Sequence, residues 1–272
     1  MSKKIFSGPF LAFMLCGTII PLGVIAYYGI TDRSGAFTFE NIKAITTGEH
    51  WEALMLALML ALISTVICLL IAFPLGLILK DSKLGKKGFM VFIFILPMWM
   101  NFLIRTYSLM TILGDSGVIN NFLSLVGLKP LHLINTPGAV ILGMVYNFLP
   151  YMILPIYSVL SKLDNSLVEA AHDLGSSGLH TFRRVVLPLS LPGLLSGITM
   201  VFVPCVSTFY ITQKLGGGQI VLIGDVIESQ FQSANNYNLG AALSLVLMIL
   251  IFVCLGVMNC FDDATEDGGV VI

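Results

Sequence analysis

The chain has 272 residues, of which 57% are hydrophobic and 11% charged, with a formal net charge of −1 and a mean hydropathy of +0.94. Ordinary soluble domains carry about 25% charged residues, so a soluble globular protein is excluded and a chain embedded in lipid is implied. No basic patch interleaved with aromatics is present, so the sequence offers nothing for nucleic acid, and membrane lipid is the expected surround.

A helix that crosses a bilayer needs about 20 mostly apolar residues. Six segments meet that length, at about 10–30, 54–79, 89–113, 137–160, 191–211 and 239–258. The reading is all-α: one polytopic transmembrane domain over 1–258, with an acidic tail, 259–272, expected to be disordered and solvated. The first segment follows Lys3 and Lys4 without a small-residue cleavage site after it, and is read as an uncleaved helix. Lys3, Lys4, Lys80, Lys83, Lys86, Lys87, Lys162, Arg183 and Arg184 fall on one side; Arg33, Lys43, Lys129 and Lys214 fall on the other. The side richer in Lys and Arg is cytoplasmic, so both termini are placed inside. On the outer side, Val118 to Leu128 reads as a short interfacial helix, and Gln219 to Phe231 as a segment able to dip back toward a cavity. The five cysteines, Cys16, Cys68, Cys205, Cys254 and Cys260, form no C-x-x-C pair and read as small core or lipid-facing residues.

Between the fourth and fifth spans lies a polar stretch, 161–190. Ser166-Leu167-Val168-Glu169 fits a capping box, with Ser166 starting a short helix that runs to Leu174. Gly175 is placed as its left-handed C-terminal residue. Ser176 or Ser177 starts a second helical stretch through Arg183 and Arg184, and Pro188 and Pro192 mark the return to the membrane. Ala170 and Ala171 give a small-residue face that another protein can approach closely. Written EAA-x3-G-x9-[IV]-x-LP, residues 169–188 resemble the cytoplasmic coupling loop of ABC importer permeases, with Val185 where isoleucine is usual. The resemblance implies that Glu169, Ala170, Ala171, Leu174, Gly175 and Pro188 dock a separate ATPase. No G-x-x-x-x-G-K-[ST] occurs, and Gly216-Gly217-Gly218-Gln219 lacks the lysine. ATP and Mg²⁺ are therefore assigned to the partner ATPase, with no cofactor on this chain and no catalytic residue in it.

The resemblance extends over nearly the whole chain. Leu96 to Tyr107, Asp173 to Ser177 and Leu222 to Ile227 are similar to the corresponding stretches of the polyamine permeases of bacterial ABC importers. That family implies the type I ABC importer permease fold in a bacterial plasma membrane, with the first helix embracing a neighbour. It also implies a second permease subunit, an ATPase dimer, an external polyamine-binding protein and alternating access driven by ATP.

Polycations are held by aromatic faces and by oxygen acceptors. The pathway candidates are Trp99, Asn101, Tyr107, Tyr146 and Tyr210, with Asn147, Tyr151 and Tyr157 also within spans, and the loop acids Asp225 and Glu228. Tyr and Trp near span ends also serve as interface anchors, and loop acids as solvated charges. Gln213-Lys214 departs from relatives that carry an acid just after the fifth helix, which speaks against a charged site there. Arg105, inside the third span, either snorkels, pairs structurally or bars cation flow. His50, His132, His172 and His180 form no metal or nucleophile constellation. Other solutes carried by such permeases (thiamine, ferric iron or phosphonate) remain alternatives, as does a stand-alone secondary transporter.

Overall fold

The computed structural model describes residues 2–46, 48–82 and 89–267. Lys83, Lys86 and Lys87, counted above as inner charges, lie outside these residues, as does the tail end 268–272. In chain order the helices are α1 Ser2–Gly29, α2 Glu40–Lys43, α3 Gly48–Asp81, α4 Phe89–Ile95, α5 Phe102–Leu113, α6 Val118–Leu125, α7 Pro137–Leu160, α8 Asn165–Asp173, α9 Gly178–Thr181, α10 Leu187–Ser207, α11 Tyr210–Leu215, α12 Ile223–Gln232 and α13 Tyr237–Asp267. No strand occurs among the described residues; extended pairing there is limited to one isolated bridge, Thr31 with Phe37. Among the described residues five helical runs are long and apolar enough to cross a membrane, and a sixth is supplied if the bent pair formed by α4 with its following turn and α5–α6 is taken as one span.

The core is where α3, α7 and α10 cross. Lipid tails are as apolar as leucine, so helices in a bilayer associate through close packing and small interfacial residues. α3 turns fully buried Ala57, Ala61, Cys68 and Ala72 inward. α10 brings Gly193 and Gly197, a small-x-x-x-small pair, onto α7. A Cβ on Gly193 would stand 2.9 Å from the Pro155 carbonyl oxygen, and one on Gly197 would stand 2.7 Å from Met152 Sδ. These two glycines set the distance between the fourth and fifth spans.

The third span is not the continuous helix expected over 89–113. α4 tightens into a 3₁₀ turn at Leu96–Trp99, Met100 is extended with ψ 142°, and α5 departs at 96°. Pro97 sits in the first positions of the 3₁₀ turn, where its missing N–H is tolerated. Asn101 then restarts the chain as an N-cap, its Oδ1 accepting from Leu103 N at 2.8 Å. Arg105 does not snorkel. It is 5% exposed, and its guanidinium turns inward to donate to the carbonyls of Met100 (3.4 Å) and Asn147 (3.5 Å), while Nε is left without a partner. It therefore ties the break in the third span to α7.

α1 packs on α13, first helix on last. Asn238 Nδ2 donates to the Thr31 carbonyl at 2.7 Å and also to those of Tyr28 and Asp32. Gly29 lies against Ala242 and Leu245 of α13. Much of the rest of α1, including Phe13, Ile19 and Ile20, is uncovered. α13 continues to Asp267, so 259–267 extend a helix where a disordered tail was expected. No Gly or Pro falls between Val257 and Asp267 to stop it.

Candidate functional site

The polar loop folds as a capped helix, a tight turn and a second helix. α8 starts at Asp164, two residues before the expected Ser166. The Asp164 carboxylate accepts from Ser166 N at 2.9 Å, and bonds from the backbone and hydroxyl of Ser166 hold its pKa below the ordinary carboxylate range. Asp and Ser are both good caps; the one placed earlier in the chain is used, and Ser166 becomes an interior residue of the first turn. At the other end the expectation holds. Leu174 is the C-cap, Gly175 takes φ +80°, Gly175 N donates to His172 O (2.8 Å) and Ser176 N to Ala171 O (3.0 Å). That bond pair is a Schellman motif.

Beyond the turn, Ser177 begins α9. α9 does not end before the membrane: a π segment, Phe182–Val186, carries it into α10, so that 178–207 is one helical run. Pro188, read as marking the return to the membrane, sits in the first turn of α10. A proline offers no N–H and its ring crowds the preceding turn; the wider π turn just before it relieves that conflict. Glu169, Ala170, Leu174, Gly175 and Pro188 are exposed, and Ala171 is half-buried. Leu174 is 89% exposed and Leu179 70% exposed, and Leu174 lines a groove with Ala171, Gly175, His180 and Arg184. These two leucines present apolar surface on the loop, and α9 is continuous with the fifth span through the π segment.

A second arrangement lies at the other end of that span. Lys214 Nζ sits 5.3 Å from the ring centre of Tyr107 and 5.6 Å from that of Tyr210. From Tyr210 the aromatic contacts continue to Phe102 (6.0 Å), from Phe102 to Phe148 (6.4 Å) and from Phe148 to Tyr151 (6.3 Å). The structure thus joins Tyr107, Tyr210 and Tyr151, from α5, α11 and α7, into one strip. Trp99 instead meets Phe92 edge-on at 5.8 Å, Asn101 is engaged as the α5 cap, and Tyr146 enters no ring pair among the described residues. Phe102, Phe148 and Lys214 were not candidates. For Lys214 the sequence held one signal, its i, i+4 spacing from Tyr210.

Asp225 and Glu228 lie on α12, outside the spans. Asp225 is the N3 residue of that helix: its Oδ2 accepts from Leu222 N (2.9 Å) and from Thr212 Oγ1 (2.7 Å), while Oδ1 is buried without a partner. Burial is the main cause that pushes its pKa up to about 6; the Leu222 and Thr212 bonds oppose the shift and Glu228 adds to it. Glu228 accepts from Gln213 at 3.1 Å. Because Asp225 has a folded-state pKa above 3.8, the native state retains the extra proton. The stability it contributes is complete below about pH 4 and is lost as pH rises through about 6. Asp225→Asn, which keeps an acceptor for both bonds, is expected to raise the thermal midpoint at about pH 7.5 and leave it nearly unchanged at about pH 4. Equal shifts at the two pH values, read by thermal unfolding of the purified protein, would show that charge is not the cause.

The family described as "binding-protein-dependent transport system inner membrane component" matches residues 72–266. The spermidine/putrescine transport system permease protein PotB of Haemophilus influenzae is 35% identical over 257 residues, covering 92% of this chain and 90% of that protein. PotB of Escherichia coli (strain K12) is 38% identical over 221 residues, covering 80% of each. Among solved structures, a chain of a bacterial ABC transporter involved in the import of the acidic polysaccharide alginate superposes with a TM-score of 0.75 at 16% identity, covering 96% of this chain and 94% of that one.

Proposed function

We infer the function from a single starting point: the chain belongs to the family of binding-protein-dependent transport system inner membrane components. It is a permease subunit of an ATP-driven polyamine importer of the spermidine/putrescine class. One observation carries the substrate class: 35–38% identity to PotB proteins over 80–92% of the chain. The chain is a membrane subunit and not an enzyme. Such a permease works with an ATPase and an external binding protein; in the finer assembly we propose, these are PotA-like and PotD-like, with a PotC-like second permease completing the pathway. ATP and Mg²⁺ bind to the ATPase, and both termini of this chain face the cytoplasm.

In this reading Glu169, Ala170, Ala171, Leu174, Gly175 and Pro188 form the ATPase-coupling face. Its continuity with α10 supports the assignment, because a docked partner that moves α9 moves the fifth span with it. The substrate pathway follows the strip of Tyr107, Tyr210 and Tyr151, with Trp99, Tyr146 and Glu228 as further lining groups. Asn101 caps α5, which carries Tyr107, and Asp225 secures the first turn of α12, which carries Glu228. Aromatic faces suit flexible polycations, since the ring quadrupole attracts ammonium without the cost of a carboxylate in lipid. ATP and loaded binding protein can shift the gate only insofar as each binds one conformation better than the other.

The direct test is labelled spermidine accumulation in cells lacking this chain, complemented with it in the presence of all partner subunits. Restored uptake is expected. An assembled complex that binds its ATPase but carries no spermidine would retain the importer assignment and overturn the polyamine one.

A further inference from the structure

Lys214 is the cation that already sits where the pathway would receive one. Its ammonium lies between the Tyr107 and Tyr210 rings, it is half-buried, and no carboxylate comes within ion-pair distance of it among the described residues. The two π faces are therefore its principal electrostatic partners. Its tether is firm at the base: Ile211, Thr212 and Leu215 of α11 are fully buried, and Leu215 and Ile211 press into the space left by Gly143 of α7. The head is free, because a lysine side chain rotates about four carbon–carbon bonds without moving its backbone.

From this geometry, and resting on the polyamine reading above, we propose that Lys214 is a tethered competitor that holds the Tyr107–Tyr210 subsite until a substrate ammonium displaces it. The exchange is ammonium for ammonium, so the net charge of the subsite is the same before and after. A tethered group competes at a millimolar-range effective concentration, which a lone monovalent amine overcomes poorly. A polyamine has further ammonium groups that can engage the strip at Tyr210, Phe102 and Tyr151 once the first has entered. Lys214 thus acts as a specificity-determining residue that favours polycations over monoamines, and it keeps the aromatic faces covered when no substrate is present.

The test uses the full complex in nanodiscs without the binding protein, with labelled spermidine as ligand and butylamine as competitor, and spermidine uptake into proteoliposomes in parallel. Lys214→Met is expected to bind spermidine roughly tenfold more tightly than wild type, and to gain at least as much in its inhibition by butylamine. Lys214→Arg keeps a tethered cation and is expected to behave as wild type. Adding Tyr107→Leu to Lys214→Met should remove most of the gain, which a merely structural lysine would not predict. Wild-type uptake together with unchanged or weaker spermidine binding in Lys214→Met overturns the competitor role and leaves the substrate class standing. An assembled wild-type complex without spermidine uptake overturns the substrate class, and this inference with it.

Discussion

Gly175→Val is expected to lower coupled spermidine uptake by roughly tenfold or more while leaving the transmembrane body folded. The effect follows from backbone conformation alone. Gly175 has φ +80°, and a Cβ built there has no atom within 4 Å, so no clash accompanies the substitution. A β-branched residue in the left-handed region costs about 1–3 kcal/mol. The loop avoids that strain by abandoning the Schellman turn, which releases the bonds from Gly175 to His172 and from Ser176 to Ala171. α8 then loses its fixed angle to α9, and the coupling surface proposed above is no longer preformed. Because sterics are absent, the series should follow left-handed propensity: Asn close to wild type, Ala intermediate, Val worst. Substrate-stimulated ATPase activity and uptake, measured on the same complexes, read the series. An asparagine variant as inactive as valine would contradict a conformational cause.

The second large effect is expected at the crossing of the fourth and fifth spans. Gly193→Leu should prevent recovery of folded complex, and Gly193→Ala should lower its thermal midpoint by several degrees. The Cβ position on Gly193 is 2.9 Å from Pro155 O and 2.9 Å from Val159 Cγ2. A backbone oxygen cannot rotate away as a side chain can, so the helices must part, and overpacking of this kind costs about 1–3 kcal/mol or more. Gly197→Ala should be milder: its nearest neighbour, Met152 Sδ at 2.7 Å, belongs to a flexible side chain, although the Met152 carbonyl follows at 3.3 Å. Gly256→Ala on α13 is the control. Nothing lies within 4 Å of its Cβ position, so that replacement should be neutral or slightly stabilising through helix propensity. The yield of folded Gly193→Leu complex and melting curves of the three alanine variants decide the matter, and a Gly193→Ala protein as stable as Gly256→Ala would refute close packing as the role of that glycine.

The spans were legible because a bilayer imposes one simple length of apolar chain. Gly175 was legible because few residues other than glycine suit a left-handed helix end. Other features depended on choices among equivalent local signals. Asp164 and Ser166 can each cap a helix, and only the folded chain shows which does. Proline alone did not mark the break in the third span, since Pro74, Pro150, Pro155, Pro192 and Pro204 all lie inside helices. What distinguishes Pro97 is the Asn101 cap four residues later, a start signal hidden inside an apolar run. The pairing of Lys214 with Tyr107 joins residues more than a hundred positions apart, on different helices, and no spacing in the sequence reports it. Nor does the fold disclose the cargo: a protein of this architecture takes part in importing an acidic polysaccharide, whereas the relatives close in sequence are named for polyamines.

The seat of α1 on α13 sets an order of events in biogenesis. Asn238 and the Thr31 carbonyl it engages are 207 residues apart. At a synthesis rate of about 5–20 residues per second, that separation corresponds to a delay on the order of ten to forty seconds between emergence of the two. Throughout that interval the first helix has entered the lipid with its intramolecular partner still unmade. Closing the chain on itself is therefore among the last steps of assembly, and a nascent chain stalled before Tyr237 presents the insertion and quality-control machinery with a lone apolar helix.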